Sequence, residues 1–379
     1  MKALFVDDDP VVLGALRRGL MARPDTGDCQ FAYTVTDALA ALERDAFDAV
    51  VCDISMRGLD GATLLQQVAD LHPGALRVIL SAASDDTAVL RAAPVAHEFV
   101  SKQADVGVVV ETIRRGLERR EQMGNGTGIT ALIGRIGALP APPDLFVRLD
   151  EVTADPNASS ASVSAVLQGA PVVVARLLQL VNSSFFASPS PIVTLDAAIA
   201  RLGLRLVRAV VLADGLFADD GNGVYSTAHQ RRGRFEAAAA MTAAQAISMR
   251  GASRETAVTA ALLANIGVPL LATVAPELAT WIRDRVDAGA DQLATELEVL
   301  GTTHAAFAGH VLAAWNLPPD VVSAVAHHHA RPTTWDAQAI VCTAWQITEK
   351  KAVDIEALRD LGAPSSSLAM VRELVGART

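Results

Sequence analysis

The stretch LFVDDDP at Leu4–Pro10 decides the fold, because three acidic residues directly follow a short apolar run. Three later apolar runs end in the same way, at Asp53, at Ser81 and just before Lys102. A short apolar run bounded by polar residues is typical of a buried strand. In a doubly wound parallel sheet, the carboxyl ends of the strands meet in one crevice. We therefore predict a crevice that contains acids, a hydroxyl and an ammonium group.

Apolar runs alternate with helical patterns through the first 120 residues. The predicted strands cover residues 4–6, 30–33, 48–52, 76–80 and 98–100, and the predicted helices cover residues 10–21, 37–43, 62–71, 86–92 and 106–120. Strands that alternate with helices form a parallel sheet with both faces covered. We therefore predict an α/β domain with a flavodoxin-like, doubly wound, five-stranded parallel sheet.

The strand ends predict a site for a divalent cation and a phosphoryl group. Asp7, Asp8 and Asp53 would bring carboxylates together, and a hard cation such as Mg²⁺ relieves their repulsion. A bound cation also neutralises charge on an incoming phosphoryl group, which leaves Asp53 able to attack phosphorus. Lys102 would pair with one phosphate oxygen, and the Ser81 hydroxyl would donate to another. The expected product is an acyl phosphate, a labile species that suits a switch.

The motifs of this region resemble the receiver domain of bacterial response regulators over residues 1–121. The acidic start VDDDP at Val6–Pro10 and the segment DISM at Asp53–Met56, followed by Gly61, carry the resemblance. The resemblance implies a receiver fold, a bound Mg²⁺ and phosphorylation by a sensor histidine kinase.

The resemblance also assigns a role to each residue of the predicted crevice. It makes Asp53 the phosphorylated residue, and it places Mg²⁺ on Asp7, on Asp8, on Asp53 and on the carbonyl of Ser55. The other matching positions would sense and hold the phosphoryl group: Ser81 and Phe99 as side chains that switch rotamers together, and Lys102 as the phosphate-binding lysine.

Two positions depart from the receiver pattern. Arg57 follows Met56 and Gln103 follows Lys102, where the family usually has proline. The second proline often follows a cis peptide bond. Because a non-proline cis bond costs about 3 kcal/mol, we expect the bond after Lys102 to be trans.

Composition and charge limit the classes of function. The chain has 379 residues, enough for two or three domains, and 51% of them are hydrophobic, so it can bury large cores. A net charge of −10 argues against nonspecific nucleic-acid binding by the whole chain. The sparse residues Cys29, Cys52 and Cys342 indicate reduced thiols in the cytoplasm. The first acid comes too early for a signal peptide, and residues 166–181 predict a buried helix rather than a membrane span.

Signals beyond residue 121 are helical almost throughout. A Gly-rich stretch at residues 122–129 lacks apolar periodicity and predicts a flexible linker. Helical stripes continue over residues 130–350, where one helix is expected to end at Gly203. A break at residues 219–224 suggests two packed bundles. Weak helical patterns at residues 351–379 predict a C-terminal extension to this all-helical domain.

The helical region contains the motifs LLQLVNS at Leu177–Ser183, LLANIG at Leu262–Gly267 and GTTH at Gly301–His304. Through such motifs it resembles the HDOD domain, a relative of the HD phosphohydrolases that has generally lost their metal ligands. Where the phosphohydrolase pattern has a ligand histidine and a bridging aspartate, this chain has Ala264 and Asn265. Alanine cannot bind a metal and an amide is a poor bridging ligand. We therefore expect neither a metal nor two-metal hydrolysis in this domain.

The histidines offer a further candidate site, since five of the eight lie within residues 304–329. By resemblance, His327 and His328 match the paired histidines of the cyclic-dinucleotide branch, called HD-GYP. No acid stands at ligand spacing, because Glu296 and Glu298 are expected on another turn. We therefore interpret these histidines as packed or capping residues within a degenerate HD site.

Three functions remain open on sequence alone. The first, which we favour, is a two-component response regulator: phosphorylation of Asp53 switches a non-catalytic helical domain that acts on a downstream protein or a second copy of the chain. The second is a cyclic-dinucleotide phosphodiesterase of the HD-GYP type. The third is a DNA-binding regulator that uses Arg201, Arg205 and Arg208 with the basic cluster at residues 231–234. No helix-turn-helix pattern supports DNA binding, and the acidic charge opposes it.

Overall fold

The structure, a computed structural model, describes residues 1–23, 26–56, 61–81, 92, 95–122, 145–153, 159–183, 186, 190–217, 227–248, 252–315 and 317–376. Residues 1–122 contain a parallel sheet with helices, here called the α/β part, and residues 145–376 form the helical part. Several predictions lie outside the described residues: Arg57, nearly all of the linker, most of the helix at residues 86–92 and the break at residues 219–224.

Five strands form one parallel sheet in the order β2-β1-β3-β4-β5. This order is the flavodoxin-like one, in which the winding direction changes between β1 and β3. The predicted fold is therefore confirmed, and every predicted strand is present. The strands are β1 (Lys2–Val6), β2 (Asp28–Ala32), β3 (Ala49–Asp53), β4 (Leu76–Ser81) and β5 (Glu98–Ser101).

Both faces of the sheet are covered, because side chains along each strand alternate between the faces. Phe5 and Val51 pack against one pair of helices, α1 (Pro10–Met21) and α4 (Val106–Gln122). Leu4 and Val50 belong to the core on the other face, where α2 (Val35–Arg44) and α3 (Gly61–Leu71) lie. This arrangement leaves the C-terminal edge of the strands as the place where polar side chains gather.

The described ranges beyond residue 145 are helical, as the sequence predicts. The C-terminal segment also forms two helices. In order, the helices are α5 (Leu145–Thr153), α6 (Ser160–Leu167), α7 (Pro171–Val181), α8 (Leu195–Phe217), α9 (Thr227–Ile247), α10 (Ala252–Leu263), α11 (Gly267–Val274), α12 (Pro276–Asp287), α13 (Gln292–Leu300), α14 (His304–Ala314), α15 (Pro319–Ala326), α16 (Ala337–Thr348), α17 (Ile355–Asp360) and α18 (Ser365–Gly376).

Gly203 interrupts α8 at the predicted position. Its φ of +77° and ψ of 153° are not helical, and a positive φ is a conformation that glycine adopts more readily than other residues. The segments on either side of Gly203 are therefore two helices that meet at a kink.

Apolar helices of the helical part form its core. Every residue of α7 except Pro171 is buried, as predicted for this stretch. The single helix predicted for residues 166–181 is wrong, because α6 ends at Leu167 and α7 begins at Pro171. The stretch Arg254–Val274 is apolar and long enough to cross a membrane, but 61% of its most apolar window is buried inside the fold. Because it covers two packed helices, α10 and α11, it has the character of a core segment.

Candidate phosphoacceptor site and histidine cluster

Three carboxylates meet at the C-terminal edge of the sheet. Asp7 and Asp8 follow β1, and Asp53 is the last residue of the neighbouring strand β3. One oxygen from each carboxylate lies within 4.8 Å of the others. Asp7 and Asp53 are buried, whereas Asp8 is partly exposed. The carboxylates that the sequence places at two strand ends are therefore together in space.

The Lys102 ammonium joins two of these carboxylates. Its Nζ atom is 2.9 Å from Asp7 Oδ2 and 2.8 Å from Asp53 Oδ2. The backbone sets its position, because the Lys102 N–H donates a 2.8 Å hydrogen bond to the carbonyl oxygen of Ser81. The described chain contains no cis peptide bond, as we expect for a lysine followed by Gln103. Lys102 thus reaches the carboxylates with a trans backbone.

Burial and charge shift the ionisation of two groups in this site. Burial raises the pKa of Asp7 above its ordinary value, although hydrogen bonds and the charge of Lys102 act in the opposite direction. Burial alone would lower the pKa of Lys102, but its hydrogen bonds and ion pairs with Asp53 and Asp7 outweigh burial and raise that pKa. The lysine is therefore charged, and a further cation would stabilise the ionised form of Asp7.

The third acid of the motif, Asp9, has a structural role. It is the N-cap of α1, where its side chain accepts a 2.8 Å hydrogen bond from the backbone N–H of Val11. The backbone N–H of Asp9 donates to Asp7 Oδ1 at 2.9 Å. Asp9 thus starts the helix and helps to orient Asp7.

The loop after β3 requires glycine at position 61. A Cβ atom on Gly61 would lie 2.0 Å from the carbonyl oxygen of Asp53, far closer than van der Waals contact. The Gly61 N–H also donates a 3.1 Å hydrogen bond to the carbonyl oxygen of Ile54. The absence of a side chain therefore lets α3 begin against the backbone that carries Asp53.

The other predicted residues of this site flank the carboxylates. Ser55 is exposed in the loop after Asp53, Ser81 is buried at the end of β4, and Phe99 is fully buried in β5. Carboxylate and carbonyl oxygens are the ligands that Mg²⁺ prefers, so the residues present fit this ion. The roles of Ser55 in metal binding and of Ser81 and Phe99 in switching stay predictions.

Three histidines form a second cluster, in the helical part. His304 is the first residue of α14, and His328 and His329 lie in the turn after α15. One ring nitrogen from each lies within 4.8 Å of the others. The ring centroids of His304 and His329 are 5.0 Å apart, and those of His328 and His329 are 3.9 Å apart. We call His304, His328 and His329 the histidine cluster.

Glu296 orients the first of these histidines. His304 Nδ1 is 2.9 Å from both carboxylate oxygens, and the His304 backbone N–H donates to Glu296 Oε2 at 2.8 Å. Burial alone would raise the pKa of Glu296, but the hydrogen bonds and charge of His304 outweigh burial and lower that pKa. The interpretation that these histidines lack an acid partner is therefore wrong for His304, because the turn between α13 and α14 brings the two residues together.

The structure does not place His327 in the histidine cluster. His327 is exposed, and its Nδ1 is 2.9 Å from a backbone carbonyl oxygen of its own helix, whereas His329 joins His328. Ala264 is buried and carries no ligand atom. Asn265 Oδ1 is 3.1 Å from the Nε2 atom of His304. Of the predicted degenerate site, His328 therefore belongs to the histidine cluster, and Asn265 lies beside it.

Burial governs the charge of two cluster histidines. It lowers the pKa of His328 well below its ordinary value, and the neighbouring histidines act in the same direction. Burial also lowers the pKa of His329 to about 4, again with a contribution from His304. Both rings are therefore neutral near pH 7.

A buried polar network joins the two parts of the chain. Gln179 on α7 donates from Nε2 to the carbonyl oxygens of Ala96 and His97, just before β5, at 3.3 and 3.2 Å. Arg176 donates from Nη1 to Gln179 Oε1 at 2.8 Å, and its guanidinium carbon lies 4.8 Å from the centre of the Trp315 ring. Gln179, Arg176 and Trp315, which we call the interdomain network, connect the sheet to the end of α14.

Comparison with known families agrees with this division. A sheet edge that carries an acidic cluster and a lysine defines a receiver-type domain, and the response regulator receiver domain family matches residues 3–114. The HDOD domain family matches residues 139–331, which is half of the chain. The chain therefore belongs to the HDOD family and carries an N-terminal receiver domain, which is the architecture of a two-component response regulator.

Similar curated proteins are transcriptional regulators by name. Transcriptional regulatory protein ZraR of Salmonella typhi is 29% identical over 239 residues, which cover 61% of this chain and 50% of the relative. DNA-binding transcriptional regulator NtrC of Salmonella typhimurium is 29% identical over 168 residues, which cover 43% of this chain and 34% of the relative. The chain thus spans at most about half the length of these relatives.

Among solved structures with the same fold, two align with this chain over most of their own length. The MmoQ response regulator from Methylococcus capsulatus aligns with a TM-score of 0.52 and 20% identity, over 63% of this chain and 98% of that one. A virulence factor from Campylobacter jejuni aligns with a TM-score of 0.52 and 18% identity, over 67% and 90%. At these identities the likeness establishes the fold alone.

Proposed function

We propose that this response regulator accepts a phosphoryl group on Asp53 from a sensor histidine kinase and thereby controls an HDOD domain that acts without catalysis. The observation that carries the proposal is the position of Lys102, whose ammonium is within 2.9 Å of both Asp7 and Asp53. A carboxylate nucleophile next to a charged lysine and two further acids suits phosphoryl acceptance, since the lysine can pair with a phosphate oxygen.

Each residue of the site has one task in this proposal. Asp53 forms the new bond from a carboxylate oxygen to phosphorus as the bond between phosphorus and the donor's histidine nitrogen breaks. Lys102 exchanges its contact with Asp53 for one with a phosphate oxygen. The Asp7, Asp8 and Asp53 carboxylates and the carbonyl of Ser55 would hold Mg²⁺, which supplies positive charge next to the phosphoryl group when it is bound.

The residues of the degenerate HD site support an output without catalysis. Ala264 has no ligand atom, and Asn265 has a neutral amide where the related phosphohydrolases have a bridging carboxylate. Two-metal hydrolysis needs ligands for both ions. We therefore propose that the HDOD domain acts through contacts with another cytoplasmic protein or with a second copy of this chain.

The interdomain network supports a route from Asp53 to the HDOD domain. Gln179 binds the backbone immediately before β5, the strand that carries Phe99. Helix α14 of the HDOD domain also contacts α4 of the receiver domain. A change in β5 or α4 on phosphorylation would therefore meet α7 and α14 directly. Such a change would shift an existing equilibrium between two arrangements of these helices.

Labelling with a small phosphodonor such as acetyl phosphate tests phosphoryl acceptance. We expect wild-type protein in Mg²⁺ to gain the mass of one phosphoryl group and Asp53→Asn to gain none. Asp48→Asn is the matched control, because Asp48 is exposed just before β3, at the opposite end from Asp53. Among the hydrogen bonds described, its side chain accepts only from the backbone N–H of Lys2. Equal labelling of Asp53→Asn and wild type would refute the assignment.

The alternative activities have separate tests. A cyclic-dinucleotide phosphodiesterase would release linear dinucleotide, and we expect no release by wild-type protein at any metal concentration. The names of the curated relatives suggest DNA binding, which a salt-dependent mobility shift would reveal. We expect no shift, because the net charge is −10 and the Arg201 side chain already donates to the carbonyl oxygen of Phe186 at 2.6 Å.

A further inference from the structure

The histidine cluster brings ring nitrogens to the spacing of metal ligands. His304 Nε2 and His329 Nε2 are 3.2 Å apart, and one nitrogen of His328 lies within 4.8 Å of both. In a tetrahedral zinc site with Zn–N distances of 2.0–2.1 Å, neighbouring ligand nitrogens are about 3.3 Å apart. The observed spacing therefore matches a shared metal ion and not only a stack of packed rings.

The hydrogen bonds of the cluster leave the Nε2 atoms facing each other. His328 Nδ1 is 2.8 Å from the carbonyl oxygen of Val325, so this nitrogen carries the proton and donates. His328 Nε2 is then a lone-pair acceptor, and this buried atom has no hydrogen-bond partner in the structure, in a side chain that is 1% exposed. A buried polar atom without a hydrogen-bond partner destabilises the fold, which makes His328 Nε2 a signal for a ligand.

His304 also directs its Nε2 atom into the cluster, in this case because a carboxylate holds its other ring nitrogen. Its Nδ1 is held by the Glu296 carboxylate, which leaves Nε2 directed at His329 and at Asn265 Oδ1, 3.1 Å away. A single proton on His304 Nε2 would satisfy one of these acceptors and would leave His328 Nε2 unpaired. One metal ion would satisfy all three imidazoles at once.

The residues around the histidine cluster supply the hydrogen bonds that usually orient metal-binding histidines. Metal-binding histidines commonly donate their other ring nitrogen to a carboxylate or a backbone carbonyl. Glu296 fills that role for His304, and the carbonyl of Val325 fills it for His328. Glu296 is itself held by Gln292, which donates from Nε2 at 2.8 Å. Its negative charge would partly balance a divalent cation.

We propose that His304, His328 and His329 bind one transition-metal ion of the Zn²⁺ class, with Asn265 or a water molecule at the fourth position. Imidazole ligands select Zn²⁺ and similar ions over Mg²⁺, which prefers oxygen. The ion would tie the start of α14 to the turn after α15, and through Glu296 to α13. The proposal replaces the expectation from sequence that this domain binds no metal, because the ligands proposed here do not include Ala264. The site is independent of the phosphoryl group on Asp53 and does not require hydrolysis.

Metal analysis of the untagged full chain tests the proposal. The protein is dialysed against Zn²⁺ in excess Mg²⁺, which occupies the receiver site, and bound zinc is measured by plasma mass spectrometry. We expect one zinc per wild-type chain and per His327→Ala chain, since His327 is the exposed neighbour of the pair. We expect His328→Ala and His329→Ala to lose it. Wild-type protein without zinc, or stoichiometric zinc in both of these variants, would overturn the site.

A second variant covers the case in which removal of a buried histidine unfolds the domain. Glu296→Gln keeps all three imidazoles, and we expect its zinc affinity to fall by about 10–100-fold, as for other carboxylates that orient a ligand histidine. Co²⁺ offers a direct readout, because four-coordinate Co²⁺ has strong visible absorption. Wild type and Glu296→Gln should both develop this absorption when saturated. Absence of the absorption from wild type would contradict a tetrahedral histidine site.

Discussion

Replacement of Lys102 by methionine should distinguish the contribution of the lysine from that of Mg²⁺ to the stability of the receiver site. The Lys102 ammonium contacts the Asp7 and Asp53 carboxylates at 2.9 and 2.8 Å. Methionine has a similar length and no charge, so Lys102→Met leaves both carboxylates without this partner. Because the lysine and Mg²⁺ neutralise the same oxygens, we expect the variant to depend on Mg²⁺ for its stability.

The loss of stability expected for Lys102→Met follows from the burial of the three side chains. The side chains of Asp7 and Asp53 are 0% and 4% exposed, and that of Lys102 is 23% exposed. Removal of one partner from a buried ion pair typically costs 3–5 kcal/mol, and the partial exposure of Lys102 favours the lower end, about 3 kcal/mol. That cost corresponds to an increase of about 100-fold in the opening equilibrium of the sheet. Saturating Mg²⁺ should restore most of the loss.

Hydrogen exchange of the β1 and β3 amides, followed by mass spectrometry, measures this opening in the intact chain. The matched control is Lys2→Met, which breaks a 2.7 Å ion pair with Asp45 between side chains that are 31% and 36% exposed. That change should cost at most about 1 kcal/mol and should not respond to Mg²⁺. Unchanged exchange in Lys102→Met without Mg²⁺, or a loss of protection that Mg²⁺ fails to restore, would refute the reasoning.

Three further outcomes are expected. Gly61→Ala should slow phosphorylation and destabilise the receiver domain by about 1–3 kcal/mol, because its Cβ would lie 2.0 Å from the Asp53 carbonyl oxygen. Gly74→Ala, at a position with open space for a Cβ atom, is the control in the same labelling and unfolding assays. Mg²⁺ affinity, measured by calorimetry, should fall as the pH is lowered, and the fall should begin above the range of an ordinary aspartate, because burial raises the pKa of Asp7; a constant affinity down to about pH 4 would contradict this. Gln179→Leu should speed hydrogen exchange just before β5, and unchanged exchange there would show that Gln179 does not hold the two domains together.

Much of the receiver domain could be predicted because its signals are local. A buried parallel strand is a short apolar run, and the residue after it must lie at the C-terminal edge of the sheet. Once the strands are placed, the spatial meeting of Asp7, Asp53 and Lys102 follows from chain order alone. Gly61 could be predicted in the same way, since this position of the receiver motif lies against the carbonyl oxygen of Asp53 and leaves no room for a side chain.

The helical part was less predictable because its decisive contacts are not local. Gln179 and Ala96 are 83 residues apart, and a glutamine within an apolar helix gives no sign of its partner. The run of three histidines likewise does not reveal which rings point inward, and the geometry of the turn after α15 selects His328 and His329. The contact of Glu296 with His304 depends on the packing of α13 beside α14, which helix patterns do not determine.

The tryptophans provide a reporter of the HDOD domain alone. Trp281, Trp315, Trp335 and Trp345 are the four tryptophans of the chain, and all of them follow residue 139. Trp315 belongs to the interdomain network, where it packs against Arg176. A change in tryptophan fluorescence on phosphorylation would therefore originate outside the receiver domain.

The most direct measurement is the tryptophan fluorescence of the full chain before and after phosphorylation in Mg²⁺. If Asp53 controls the HDOD domain, wild-type emission will change with acetyl phosphate, Asp53→Asn emission will not, and Trp315→Phe will lose most of the change. Wild-type emission that stays constant while mass spectrometry shows Asp53 phosphorylated would contradict the coupling of the receiver to its output domain.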